Sequence, residues 1–175
     1  MFKKLLLAIF VGAALLLQGC SAPPINFSVD NVQPARQKFD AELKNVNVMW
    51  GRPNELVGDV PSDWKVDTTQ SWAVALTDAI DRAVLFQDDS SKKVTLSVRI
   101  LELSQPFILS TTAYTNATAR YEVIDRSSGK VLWTEVIKTQ GQVPATLFSY
   151  APTRVVESIN RAVQLNIKEF LSKFR

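Results

Sequence analysis

The chain has 175 residues, enough for one ordinary domain, and its 20 Lys and Arg against 17 Asp and Glu leave a formal net charge of +3 with no basic block that would argue for nucleic acid. Histidine is absent, which removes the commonest general base near neutral pH and the commonest transition-metal ligand, so Ser-His-Asp and Cys-His machinery is excluded. A single cysteine allows neither an internal disulfide nor a cysteine metal cluster.

At the N-terminus, Lys3 and Lys4 precede a mostly apolar run from Leu5 to Leu17, closed by Gln18, Gly19 and Cys20. That is the layout of a secretory leader. The run is too short for a spanning helix, which needs roughly 20 apolar residues. The closing Leu17-Gln18-Gly19-Cys20 resembles the bacterial lipobox. The resemblance implies a leader of residues 1–19, cleavage before Cys20, and acylation of its sulfur and new amine. Several acyl chains together give lasting attachment where one is marginal. Ser21 and Ala22 stand where an inner-membrane retention signal would carry aspartate, which implies an outer-membrane, periplasm-facing location. Loss of Lys3 and Lys4 with the leader lowers the net charge from +3 to +1.

Residues 20–44, rich in proline and without a period, read as the lipidated cysteine and a flexible tether. About 24 flexible residues have a root-mean-square span of roughly 25 to 30 Å. The competing reading packs "INFSV" onto the domain as an edge strand. The domain itself is expected over 45–175.

"VNVMW" (46–50) reads as a first strand, followed by the long segment "GRPNELVGDVPSDWKV", punctuated by glycine and proline. Loops of this length in compact domains are often functional or disordered. In "DTTQSWAVALTDAIDRAVLF", Trp72, Leu76, Ala79, Ile80, Ala83 and Val84 recur at helical steps, with Asp67 or Thr68 as the cap. "VTLSVRILEL" alternates as a half-buried strand, with Arg99 on its polar side. "FILSTTAYTNATARYEVID" continues as strand, placing Tyr121, Val123, Ala113, Thr115 and Ala117 on one face. "DRSSGK" supplies a turn, with Gly129 suited to positive φ. "KVLWTEVIKTQG" returns as a third strand of the meander. Val155, Ile159, Ala162, Val163, Ile167, Phe170 and Phe174 then form the stripe of a long helix starting near Pro152.

The order β-α-β-β-β-α predicts a two-layer α+β sandwich, an antiparallel sheet of about four strands with two helices on one face. Ser127-Ser128-Gly129-Lys130 matches the S-x-x-K pattern formally, but a hairpin turn is the wrong setting for a serine acyl enzyme. Asp78 with Asp81, and Asp88 with Asp89, are the candidates for carboxylate acid-base work, against the ordinary reading of solvated acids. No cofactor or metal is expected. Trp72 and Trp133 read as core. Trp50, Arg52, Trp64 and Arg99 are the candidate partner-binding residues, with packing against the core as the alternative for Trp64.

"SWAVALTDAIDRAVLF", "VTLSVRILEL" and the "YEVIDRSSGKVLW" hairpin, over about residues 70–173, are similar to the small outer-membrane auxiliary lipoproteins of lipid-trafficking ABC systems and to the lipopolysaccharide-assembly lipoprotein. The resemblance implies a non-enzymatic binding, assembly or transport-auxiliary module, attached to the membrane by its lipid and engaging an envelope protein complex, lipid or glycan. An envelope hydrolase or transferase using carboxylates, and a surface-displayed structural lipoprotein, are the alternatives.

Overall fold

Alternation at 94–103 builds the centre of the sheet. In the computed structural model, which describes residues 24–60, 65–107, 110–146 and 150–174, strand β1 is Glu42–Trp50, helix α1 Lys65–Ala83 and strand β2 Lys93–Leu103. Strands β3 (Thr112–Asp125) and β4 (Val131–Pro144) and helix α2 (Ala151–Ser172) complete the chain. β2 buries Val94, Leu96, Val98 and Ile100 on one side and turns Thr95 and Arg99 to the other, as a period of two requires, and a register shift between Ile100 and Glu102 brings Leu103 back to the buried side. The sheet order is β1-β2-β3-β4. Both helices pack on the side that carries the buried residues of β2 and β3.

The α+β class, the element order and the two-helix layer agree with the sequence expectation. One pairing differs. β2, β3 and β4 are antiparallel, but β1 runs parallel to β2, with Val46 opposite Leu96 and Val48 opposite Val98. Helix α1 carries the chain back along the sheet before β2 begins, so β2 must start at the same end as β1.

The molecule therefore has two distinct ends. At the first, the loop end, β1, β2 and β4 finish while α1, β3 and α2 begin; it carries the connections after β1, between β2 and β3, and before α2. At the second, the hairpin end, α1 runs into β2 and the 126–130 turn joins β3 to β4.

The expectation of a flexible tether does not hold for residues 24–41. Phe27, Val29 and Ala41 are buried in the core, and the Phe27 ring meets Trp72 edge-on at 6.2 Å. The Asn26 N–H donates to Asn160 Oδ1 at 3.0 Å, and Gln164 Nε2 donates to the Asn26 carbonyl at 3.0 Å. Further on, Ala35 N–H donates to Ala83 O, and Arg36 and Gln37 N–H to Phe174 O. The segment lies along both helices and fills the gap between them. It pairs with no strand over 25–29, so the edge-strand reading fails too, although that stretch does pack. Scattered apolar residues without a period carry no local signal of burial, and only the presence of two helices creates the groove.

Helix α1 begins at Lys65, which puts Thr68 inside the first turn, buried, rather than at the cap. It ends one residue before the expected stripe does. Val84 has φ 50°, and the bonds from Val84 N–H to Asp81 O and from Leu85 N–H to Ile80 O form a Schellman closure. That left-handed residue turns its side chain out of the core. The α2 stripe is buried as expected, together with polar Arg154, Ser158, Asn160 and Asn166.

Candidate functional site

The loop after β1 is tied down along its length. Gly51 N–H donates to Ile100 O at 2.8 Å, Val57 N–H to Leu101 O at 3.1 Å, and Leu103 N–H to Asp59 O at 2.9 Å. Residues 51–60 thus continue alongside the end of β2 where β1 stops. Within the loop, Glu55 N–H donates to Arg52 O at 2.8 Å while Arg52 N–H donates to Glu55 Oε2 at 2.8 Å, closing a tight turn.

The sheet register explains why a carboxylate sits there. On the helix-free face, Arg99 of β2 lies directly opposite Arg120 of β3. Like charges at such a position repel. Glu55 reaches over from the loop, and Arg120 Nη2 donates to its Oε1 at 2.6 Å; Glu122 lies 3.3 Å from Arg120 Nε. The Arg52 N–H and then Arg120 hold the Glu55 carboxyl below the usual carboxylate range. Beside this group, Thr118 Oγ1 donates to Glu102 Oε2 at 2.8 Å and is buried although no helix covers that face. The result is a polar surface that carries three arginines, Arg52, Arg99 and Arg120, the last of them held by a loop with its own counter-charge. Such a surface can engage charged groups on a partner without enclosing a small ligand.

Of the residues read from sequence, Arg52 is exposed in this loop and Arg99 is half-buried on the helix-free face. Trp50 lies opposite Ile100 on the helix side and packs against the core, so the sheet separates it from Arg99. Trp64 and Cys20 lie outside the described residues. Glu55, Arg120 and Glu122 were not read as site residues. Their signal was present in part, since Arg120 and Glu122 alternate with Tyr121 and Val123 and so mark the polar face of β3.

The acidic candidates are spread over α1 and the turn after it. Asp78 is paired with Arg82 at 2.5 Å, one helical turn apart. Asp81 and Asp88 line a groove of about 570 Å³ beside β1, which also includes Glu42, itself paired with Lys44 and Lys93. Asp89 sits in the turn with φ 58°. Among the described residues no group of three His, Cys, Asp or Glu is placed to hold a metal ion.

The S-x-x-K stretch forms the hairpin turn between β3 and β4. The Ser127 and Ser128 hydroxyls and N–H groups all donate to Asp125 Oδ1, and Gly129 takes φ 71°. Those bonds, the Ser127 hydroxyl first, hold the Asp125 carboxyl at about 2. The serines serve the turn.

No known family model matches the sequence, and no curated protein aligns with it. Solved structures are similar to the chain, and at least one has a TM-score above 0.5, which shows the fold. The chain is similar to a DUF330 protein of Xanthomonas campestris at a TM-score of 0.53 and 10% identity, covering 86% of this chain and 91% of that one. It is also similar to a candidate lipoprotein of Caulobacter crescentus, at 0.42 and 10% identity over 74% and 86% of the two chains. A third is a lipoprotein of Neisseria meningitidis, at 0.41 and 11% over 58% and 83%. Among the described residues no helix is long and apolar enough to cross a membrane.

Proposed function

We propose that the chain is a lipid-anchored protein of the bacterial outer membrane that works as a non-enzymatic binding or assembly module. Acylated Cys20 supplies its location on the periplasmic side. Its partner, an envelope protein complex, is met by loop 51–60 together with the Arg99–Arg120 face. The observation that carries the binding surface is Glu55, which joins the Arg52 turn to Arg120 and holds the loop in one arrangement before any partner arrives. Preorganisation of this kind lowers the entropy cost of association. The lipobox carries the location.

A photoreactive residue at Arg52 in living cells tests the reading. The expected result is a discrete adduct with an envelope protein, weakened by Glu55→Gln, which removes the charge shared by the Arg52 N–H and Arg120 while leaving the main-chain bonds of the loop and the core intact. Absence of any adduct from a correctly acylated protein overturns the binding surface.

A further inference from the structure

The packed N-terminal segment has a geometric consequence for the anchor. Ile25 and Asn26 share a groove with Gln70 and Ser71, near the start of α1, and the chain runs from there to Ala35 beside Ala83 at its end. At 1.5 Å per helical residue, Gln70 and Ser71 stand about 8 to 9 Å from the start of α1 and about 18 to 20 Å from its end, and Asn160, which the Asn26 N–H meets, stands about 14 Å from the start of α2 and about 18 Å from its end. Cys20 is four residues upstream of Pro24, a leash of at most about 14 Å even when fully extended. That leash reaches the loop end and falls short of the hairpin end.

Four large apolar side chains stand exposed at the loop end, three of them aromatic. Phe107 is 70% exposed, Val57 60%, Tyr150 51% and Tyr114 49%. They come from separate connections and strand ends, so no single element places them there. The hairpin end also exposes Val84, Val131 and Leu132, all of them aliphatic. Tyrosine and phenylalanine rings suit the boundary between headgroups and acyl chains, where one side is apolar and the other wet.

We infer that the loop end rests on the bilayer that holds the Cys20 acyl chains, with Phe107 and Tyr150 in the interfacial layer, and that the hairpin end points away from it. This rests on the lipoprotein reading above. The domain then stands against the membrane with its helices upright, and the Arg52 loop works close to the headgroups instead of 25 to 30 Å out, the span of a free tether.

The test uses the full-length protein purified with its native acylation and reconstituted in phosphatidylethanolamine and phosphatidylglycerol vesicles. Phe107→Cys, Tyr150→Cys and Leu132→Cys variants are each labelled with an environment-sensitive fluorophore; acylated Cys20 cannot react. The expected result is blue-shifted emission and quenching by brominated acyl chains at 107 and 150, and neither at 132. Water-like emission at 107 and 150, with mass spectrometry showing Cys20 acylated, overturns the orientation and leaves the anchor standing. Equal signals at 132 and 107 overturn it as well. A free thiol at position 20, or an uncut leader, overturns the lipoprotein reading itself.

Discussion

Over residues 158–166, where α2 crosses β3 and β4 most closely, the contact is made of small and polar groups, and only further along does Phe170 stack on Tyr121. Ser158, Ala162 and Asn166 face Thr115, Gly141 and Thr139, and a Cβ on Gly141 would lie 2.0 Å from Ser158 O. Thr115 Oγ1 and Ser158 Oγ are 2.9 Å apart, and Thr139 Oγ1 donates to Ala162 O at 2.8 Å. Asn166 is buried and satisfied on both sides of its amide. It accepts from Tyr121 Oη at 2.8 Å and donates to Ile137 O at 3.1 Å and Ala117 O at 3.2 Å. Burial raises the Tyr121 hydroxyl well above its ordinary range, so it remains a donor at any physiological pH. The flank under α1 is the opposite case. Trp72, Leu76, Ala79 and Ile80 bury large apolar surface, and the gap toward α2 is filled by Phe27 and Val29 from the N-terminal segment. A close seam admits one shape and needs hydrogen bonds, because backbone comes within reach of backbone. A wide seam accepts apolar volume from elsewhere in the chain, and so recruits the segment next to the anchor.

The substitution that should strain this contrast most is Gly141→Ala. Its methyl group meets helix backbone that cannot rotate aside, and a loss of more than about 3 kcal/mol is expected in urea unfolding. Phe27→Ala attacks the other flank by opening a cavity against Trp72, at a cost of about 3 kcal/mol. Its distinguishing sign is local. Amide exchange at Ala35 and Phe39 should accelerate while the β3–β4 ladder keeps its protection, and uniform acceleration would show that the segment belongs to the cooperative core. Asn166→Ala leaves the Tyr121 hydroxyl without its acceptor and should cost about 2 kcal/mol by thermal unfolding. The smallest change is a gain. Val84→Gly relieves a β-branched residue at φ 50° and should raise stability by up to about 1 kcal/mol, read as a higher urea midpoint.

The candidate surface was legible in halves. Arg99 stood out on the polar side of an alternating strand, and the length and punctuation of the 51–66 stretch marked a loop with work to do. Arg120 and Glu55 were invisible as partners, since their meeting depends on the β2–β3 register and on a loop 65 residues away in sequence. Trp50 shows the converse. An aromatic beside a long loop looks like an anchor, but its alternation with Val46 and Val48, in register with Leu96, Val98 and Ile100, puts it half-buried on the helix side.

By itself the sequence determined the order of elements and the buried side of each. Periods of 2 and 3.6 residues express backbone geometry within one segment, so Leu96 beside Val98, or Ile159 beside Val163, declare their face without reference to the rest of the chain. Only the tertiary structure decided the parallel β1, the backbone contact at Gly141, the Arg99–Arg120–Glu55 grouping and the burial of Phe27. Each joins residues distant in sequence, and whether such groups meet depends on which surfaces the other elements leave open.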